Sequence, residues 1–209
     1  SPQGAVSLLA RVAQAGFTPA LSFHPGTQCN DPRAWVAYIV EAARIAASAG
    51  VRIARLNVGG GFAADRGEGQ PDHGAVFDAI TRAVASSFGA LAPDLLCEPG
   101  RAMVAEAFTL ATRIKSIRGE GKAVFLNDGI YGGLTDLRDM GLISRVRVVA
   151  ADGTGRNGPA MPRVVFGPTC DSLDRLPDGL LIAADAQEGD YVLLEGMGAY
   201  SVAMSTRFN

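Results

Sequence analysis

A cysteine joined directly to an aspartate is the part of this sequence best suited to acid–base chemistry. Cys170 and Asp171 lie in the run of residues 165–174, behind a Gly-Pro turn and ahead of a second acid, Asp174. A thiol can donate a proton, and the adjacent carboxylate can hold an ammonium group by a charge-assisted hydrogen bond. Taken alone, the run could also be an ordinary loop with a buried cysteine.

Two earlier segments end in groups that could hold a planar ligand carrying a phosphate. His24 precedes a turn that contains Thr27, so an imidazole could stack on the ligand while the hydroxyl reaches its phosphate; a core histidine is the alternative. Gly59, Gly60 and Gly61 follow a predicted buried strand and would leave backbone N–H groups open to an anion. Their spacing matches neither a P-loop nor a dinucleotide fingerprint, which argues against ATP and NAD.

Three further segments carry a carboxylate, a guanidinium or a phenol. Glu98 could face a heterocyclic nitrogen and Arg101 could bind a phosphate with two hydrogen bonds. A carboxylate beside a pyridine nitrogen keeps it protonated and makes the ring an electron sink. An ion pair between Glu98 and Arg101 that holds a turn is the alternative. Tyr131 and Tyr200 could donate to a phosphate or border a substrate, or could be core or interface tyrosines.

The elements that would position these groups change character near residue 105. Before it, we expect helices over residues 5–15, 32–50 and 72–88, and buried strands over residues 17–23, 51–58 and 95–98. Asp31 and Pro32 are typical of a helix start, and Gly50 of a helix end. This alternation predicts an α/β fold with parallel strands. Its polar groups follow the strands' carboxyl ends, where (β/α)8 barrels and doubly wound sheets both place their sites.

After residue 105 the sequence is mainly β. Strands are expected over residues 108–117, 123–127, 142–150, 163–166 and 190–195, with a helical turn over residues 134–140.

Composition excludes several classes of protein. Of the 209 residues, 48% are apolar and 19% charged, which is typical of a folded protein, and the net charge of -2 gives no indication of nucleic-acid binding. No apolar run approaches the length needed to cross a membrane. Three widely spaced cysteines fit neither a disulfide framework nor a metal site, and they favour a reducing cytoplasm.

Six motifs, in this order, resemble those of the fold-type III pyridoxal phosphate (PLP)-dependent decarboxylases, the ornithine/diaminopimelate/arginine decarboxylase group. They are SFHPGT, NVGGGF, CEPGR, NDGIYG, GPTCDSLD and EGMGAY, and the resemblance extends from about residue 4 to residue 209. It implies that residues 1–105 form the C-terminal part of an alanine racemase-like (β/α)8 barrel that binds pyridoxal 5'-phosphate. Residues 106–209 would form a mainly β domain, a barrel or a sandwich, that carries dimer-interface and substrate residues.

The resemblance also implies roles for individual residues. His24 would stack on the pyridine ring, Glu98 would pair with the ring nitrogen, and Cys170 would reprotonate the substrate carbon across a dimer interface after carbon dioxide leaves. The remaining cofactor-binding residues would be Thr27, Gly59, Gly60, Gly61, Gly100, Arg101 and Tyr200, and the substrate-binding residues would be Asp171, Tyr131, Asp139 and Phe208.

Asp171 indicates the substrate. In this family an aspartate after the cysteine accompanies diamine-forming enzymes, whereas diaminopimelate decarboxylases usually carry a glutamate. The resemblance therefore implies decarboxylation of a basic L-amino acid, first of all L-ornithine to putrescine in polyamine biosynthesis, by a cytoplasmic homodimer with shared active sites. Lysine and diaminopimelate are the alternative substrates.

One family feature is missing. The family's Schiff-base lysine lies in a YAVKAN-like motif on an early barrel strand, and the two lysines here, Lys115 and Lys122, match no such motif. A complete barrel needs roughly 250 residues, whereas about 100 residues here hold about three βα units. We therefore expect a form without the N-terminal part of the barrel that also ends before the family's C-terminus. It would be a fragment of an active enzyme, the product of a decayed gene, or a non-catalytic decarboxylase-like regulator.

Overall fold

The computed structural model describes residues 1–208, which divide into two compact units. The first unit comprises Ser1–Ala63 and Gln70–Ala102, and the second comprises Ala64–Gly69 and the chain from Met103 onward. Each unit has its own hydrophobic core. Within residues 1–208, no helix is both long enough and apolar enough to cross a membrane.

Three short parallel strands form the sheet of the first unit, in the order β1-β2-β3. The alternation of helices with parallel strands confirms the α/β expectation for this part of the chain. Its elements are α1 (Pro2–Gln14), β1 (Ala20–Ser22), α2 (Pro32–Ala49), β2 (Arg55–Asn57), α3 (His73–Phe88), β3 (Asp94–Leu96) and α4 (Gly100–Val104).

The strands of this sheet are shorter and less buried than predicted. The pattern of residues 17–23 predicted a buried strand, but β1 has three residues, of which Ala20 and Ser22 are exposed. The reason is that β1 and β3 are the edges of the sheet, so one side of each strand has no neighbour. Only the central strand β2 contributes a fully buried side chain, Leu56.

The boundaries of α2 follow the local signals in the sequence. Asp31 is the N-cap, and its carboxylate accepts a hydrogen bond from the backbone N–H of Arg33 at 2.9 Å. Pro32 takes the first helical position, and Gly50 ends the helix in the left-handed conformation with φ +63°. Trp35 and Ile39 of this helix are completely buried in the core of the first unit.

The second unit is built on a six-stranded sheet in the order β6-β9-β4-β5-β7-β8. Only the β5–β7 pair is parallel, and the two outermost strands, β6 and β8, contact each other, so the sheet is nearly closed. Its strands are β4 (Leu110–Arg118), β5 (Ala123–Leu126), β6 (Val146–Val149), β7 (Ala160–Phe166), β8 (Leu180–Ala183) and β9 (Tyr191–Leu194), with helices α5 (Thr135–Met140) and α6 (Ser201–Met204).

The mainly β prediction and the helical turn at α5 are confirmed, but β8 was missed. Its sequence is LLIA, and four consecutive apolar residues show no alternation that would identify a strand. The strand nevertheless buries Leu180 and Ile182 on one face.

A buried ion pair fixes the start of β9. The carboxylate of Asp190, which is 3% exposed, accepts hydrogen bonds from the Arg156 guanidinium at 2.7 and 2.9 Å and from the backbone N–H of Gln187 at 2.8 Å. These donors, Arg156 foremost, lower the pKa of Asp190 below its usual value. The interaction joins the segment before β7 to the segment before β9.

We expect Asp190→Asn to lower the free energy of unfolding by about 2 kcal/mol at pH 7, because Arg156 would lose its ionic partner. Since folding depresses the pKa of Asp190, this stabilisation is complete above about pH 4, the usual pKa of an aspartate. It disappears as the pH falls through the lower pKa of the folded state. Urea denaturation at pH 7 and at pH 3 measures both effects.

Asp139→Asn is the matched control, because Asp139 pairs with Arg138 in the same unit but both side chains are exposed. Exposed pairs contribute little to stability, so this variant should resemble the wild type at both pH values. Equal destabilisation by the two substitutions would contradict the role given to Asp190.

Candidate functional site

The polar residues predicted to bind a phosphate-bearing ligand follow the carboxyl ends of β1, β2 and β3. The backbone N–H of Phe23 donates to the carbonyl of Asn57 at 3.1 Å, and that of Glu98 donates to the carbonyl of Gly59 at 2.8 Å. Parallel pairing of the backbone therefore continues beyond the strands. His24, Gly59 and Glu98 consequently lie at the same edge of the sheet.

Close backbone approach explains why glycines follow β2. Gly59 and Gly61 have φ values of +73° and +79°, which favour glycine. A Cβ atom on Gly59 would collide with the carbonyl oxygen of Phe23, and one on Gly61 with the carbonyl oxygen of Gly26. The sequence predicted that these glycines leave space for an anion; what the structure shows is that they leave space for the segment that follows β1.

His24 lies against this glycine segment and is exposed, so the alternative of a core histidine is wrong. Its Nδ1 accepts a hydrogen bond from the backbone N–H of Gly26 at 3.1 Å, which leaves the hydrogen of a neutral ring on Nε2. A Cβ atom placed on Gly60 would lie 3.4 Å from this Nε2 and 2.6 Å from the carbonyl oxygen of Glu98. The imidazole and the Glu98 backbone therefore converge on Gly60.

An asparagine holds the Glu98 carboxylate in place. Asn57 Nδ2 donates to Glu98 Oε1 at 2.5 Å, while Asn57 Oδ1 accepts from the backbone N–H of Gly59 at 2.9 Å. Sequence reasoning gave Asn57 no role, although a polar residue at the end of a buried strand was an available signal.

The remaining residues predicted for the first unit supply further donors. Arg101 is 8% exposed and lies on α4, directly after Gly100, whose N–H donates to the Glu98 carbonyl at 2.8 Å. Thr27 lies in an exposed turn. The N–H groups of Gly60 and Gly61 have no acceptor among the described residues. An exposed imidazole, an oriented carboxylate that accepts hydrogen bonds and N–H groups that donate them are a set of groups that fits a heteroaromatic ring bearing a phosphate.

In the second unit, the tyrosine that follows β5 meets the aspartate beside the cysteine. The Tyr131 hydroxyl donates to Oδ2 of Asp171, and the Leu173 N–H donates to Oδ1 at 2.9 Å. The phenol hydrogen bond lowers the pKa of Asp171, and the carboxylate in turn raises the pKa of Tyr131. Asp171 is therefore an oriented anion suited to an ammonium group. Cys170 is exposed, so the alternative of a buried cysteine is wrong.

A cavity of about 170 Å³ lies beside this pair. The ring centroid of Phe208 lies 4.5 Å from that of Tyr131, and the Thr206 N–H donates to the Tyr131 carbonyl at 2.7 Å. The structure therefore brings Phe208 to the same place as Tyr131. The cavity is lined by Asp128, Gly129, Tyr131, Gly132, Pro168, Thr169, Asp174, Thr206 and Phe208.

Four predicted residues of the second unit lie outside this lining: Cys170, Asp171, Asp139 and Tyr200. Asp139 is exposed on α5, and its carboxylate accepts hydrogen bonds from Arg138 at 2.8 and 3.0 Å. The charge of Arg138 also acts on Tyr131, where it opposes the rise in the phenol pKa. Tyr200 precedes α6, is 47% exposed and has φ +64°.

Comparison with known proteins identifies the relatives of this chain. Residues 21–198 match a family model described as "Pyridoxal-dependent decarboxylase, C-terminal sheet domain". The chloroplastic ornithine decarboxylase of Nicotiana glauca is 32% identical over 98% of this chain and 49% of its own length. Antizyme inhibitor 2 of Xenopus laevis is 28% identical over 90% of the chain and 44% of its own length.

The comparison with solved structures points to the same family of relatives. The lysine/ornithine decarboxylase of Vibrio vulnificus, complexed with cadaverine, superposes with a TM-score of 0.80 and 27% identity, over 100% of this chain and 56% of that one. The protein SrLDC in complex with PLP and cadaverine gives a TM-score of 0.81 at the same identity, over 100% of this chain and 54% of its own. The chain spans about half the length of the curated relatives it matches.

We expect Gly61→Ala to lower the free energy of unfolding by about 3 kcal/mol, because the methyl group would meet a backbone carbonyl and the residue would be strained at positive φ. Gly50→Ala is the control in the same unit: its φ is +63°, but no atom lies within 4 Å of the added carbon. That variant should lose only about 1 kcal/mol, the strain alone. Urea denaturation compares the two, and similar losses would show that backbone approach does not require glycine at position 61.

Proposed function

The chain belongs to the family of pyridoxal-dependent decarboxylases, and we propose that the protein decarboxylates a basic L-amino acid, L-ornithine before lysine or diaminopimelate. The observation that carries this proposal is the Asp171 carboxylate held by the Tyr131 hydroxyl. It gives an ionised group with a defined direction, which a side-chain ammonium can pair with. Decarboxylation of ornithine would yield putrescine and place the protein in polyamine biosynthesis.

The residues of the first unit fit the family's coenzyme. Bound pyridoxal phosphate supplies an electron sink for the electron pair left when carbon dioxide departs. Glu98, oriented by Asn57, would accept a hydrogen bond from the protonated ring nitrogen, and the His24 imidazole would stack on the ring. The phosphate would be bound by Thr27, Gly59, Gly60, Gly61, Gly100, Arg101 and Tyr200.

Cys170 would supply the proton that replaces the lost carboxylate. Its side chain is exposed, and it precedes Asp171 directly, so the same short segment can hold the substrate ammonium and carry a proton on Sγ. Phe208 would border the substrate beside Tyr131, and Asp139 would contribute a second carboxylate once Arg138 releases it.

We also propose that the protein is a homodimer with shared active sites. Large apolar side chains of the second unit are exposed: Leu173 is 70%, Phe108 66% and Val202 85% accessible. Leu173 lies three residues after Cys170, so a partner that covered it would meet the segment that carries the thiol. We propose the cytoplasm as the compartment, because no disulfide joins the cysteines of the described chain.

For the domains, we propose that residues 1–105 are the C-terminal part of a (β/α)8 barrel and that residues 106–209 carry the interface and substrate residues. Two features support the barrel. Polar groups follow the carboxyl end of every strand of the parallel sheet, as in barrel enzymes. In addition, Leu95 and Leu96 of the edge strand β3 are 41% and 48% exposed, as expected of a strand that lacks its neighbour.

A second candidate function is a non-catalytic, decarboxylase-like binding protein. The observation that favours it is the 28% identity to antizyme inhibitor 2 of Xenopus laevis over 90% of this chain.

The test of function is carbon dioxide release by the full protein with added PLP, measured with ornithine, lysine, arginine and diaminopimelate. We expect the highest kcat/KM with ornithine and the next with lysine. Release from none of the four, with PLP bound according to its visible absorbance, would favour the non-catalytic alternative.

We expect Asp171→Asn to raise KM for the preferred amino acid about 10- to 100-fold, because the ammonium would lose its charge-assisted partner. Steady-state kinetics measure this, and PLP absorbance should remain unchanged. Asp152→Asn is the control, since Asp152 also accepts a hydrogen bond from a nearby backbone N–H, that of Thr154, in an exposed turn of the same unit. An unchanged KM in Asp171→Asn would exclude Asp171 as the ammonium partner.

A further inference from the structure

A second aspartate lies behind the Tyr131–Asp171 pair. Asp174 is 2% exposed, and its two carboxylate oxygens accept hydrogen bonds from different segments. Oδ1 accepts from the backbone N–H of Ile130 at 2.9 Å, and Oδ2 accepts from that of Thr169 at 3.1 Å. One side chain thus joins the turn that carries Tyr131 to the segment that carries Cys170 and Asp171.

The backbone of Gly129 and of Gly167 packs directly against the carboxylate of Asp174. A Cβ atom on Gly129 or on Gly167 would collide with the carboxylate oxygens of Asp174. The backbone of Asp174 adds two more hydrogen bonds, since its carbonyl accepts from the Gly167 N–H at 2.8 Å and its N–H donates to the Asp171 carbonyl at 3.0 Å. The side chain is therefore enclosed between two glycine-containing segments.

The charge of Asp174 also acts on the phenol. The side-chain hydrogen bonds that Asp174 accepts come from the backbone N–H groups of Ile130 and Thr169. After Asp171, Asp174 contributes to raising the pKa of Tyr131. Both neighbouring carboxylates thus favour the protonated phenol, which donates to Asp171.

We infer that Asp174 is a positioning residue that holds the Tyr131 turn against the segment of Thr169 and Asp171, so that the phenol donates to Asp171. Its carboxylate is occupied by two backbone N–H groups, and it acts on the substrate only through Tyr131 and Asp171. The effect on substrate binding rests on the proposed function, whereas the effect on the phenol does not.

Asparagine has the same shape as aspartate but only one acceptor oxygen, and its NH2 group would face one of the two N–H donors. Asp174→Asn therefore removes one of the two attachments and the charge. The matched control is Asp185→Asn, because Asp185 accepts from the N–H groups of Asn157 and Gly158 at 3.2 and 2.8 Å in the same unit. A Tyr131→Phe variant identifies the signal of Tyr131 among the four tyrosines.

The first measurement is an ultraviolet titration of the phenols, made without coenzyme or substrate. In the wild type and in Asp185→Asn, Tyr131 should titrate above the usual tyrosine pKa of about 10. In Asp174→Asn it should titrate closer to that value. An unchanged titration in Asp174→Asn would overturn the inference, whatever the protein catalyses.

The second measurement is the kinetics of the full protein with its preferred amino acid. Asp174→Asn should raise KM at least 5-fold and lower kcat less, while Asp185→Asn should match the wild type. Equal changes in the two variants would show a general structural effect and contradict the inference. A shifted phenol titration with no decarboxylation of any amino acid would refute the proposed function but leave the role of Asp174 intact.

If Asp174→Asn does not fold, amide hydrogen exchange of the wild type tests whether the Asp174 carboxylate holds the two segments. The N–H groups of Ile130 and Thr169 should exchange at least 100-fold more slowly than that of Leu173, because Asp174 is buried while Asp171 is only partly so. Exchange of Ile130 and Thr169 as fast as that of Leu173 would overturn the inference.

Discussion

Backbone contact between neighbouring strand-end segments is the constraint on which the candidate site of the first unit depends. Gly59 and Gly61 approach the carbonyls of Phe23 and Gly26 too closely for any side chain. That approach places the His24 imidazole over the glycine segment. It also allows Asn57 to reach Glu98 across 41 residues of sequence. The glycines are therefore required by packing first, and the N–H groups of Gly60 and Gly61, which have no acceptor among the described residues, are a consequence of that packing.

Four aspartates of the second unit fall into two groups that differ in their partners. Asp190 and Asp136 are buried and paired with arginines, which neutralise them and join distant segments. Asp171 and Asp174 accept instead from a phenol and from backbone N–H groups. Hydrogen bonds of that kind orient a carboxylate without cancelling its charge. The negative charge beside the cavity thus remains available to a cationic ligand, which is the physical basis of the proposed preference for basic amino acids.

Secondary structure was predictable where the signal is local. The start of α2 at Asp31 and Pro32 and its end at Gly50 depend on side-chain capping and on φ, which neighbouring residues decide. Strand length was not predictable in the same way. Residues 51–58 were predicted to form one strand, yet β2 spans only Arg55–Asn57, because regular pairing with β1 and with β3 covers only these three residues. β8 was missed because its pairing with β7 is not visible in its own four residues.

The sequence alone determined the residue types at the site, the class of coenzyme and the order of an α/β part before a mainly β part. Motifs such as NVGGGF and GPTCDSLD carry that information in consecutive residues. Only the tertiary structure decided that Asn57 orients Glu98 and that Asp174 joins Ile130 to Thr169. Asn57 and Glu98 are 41 residues apart in the sequence, and Ile130 and Asp174 are 44 residues apart. Such contacts exist only after parallel and antiparallel pairing of the strands has brought the segments together. A hydrogen bond depends on distance and direction in space, and no local pattern of residues encodes either.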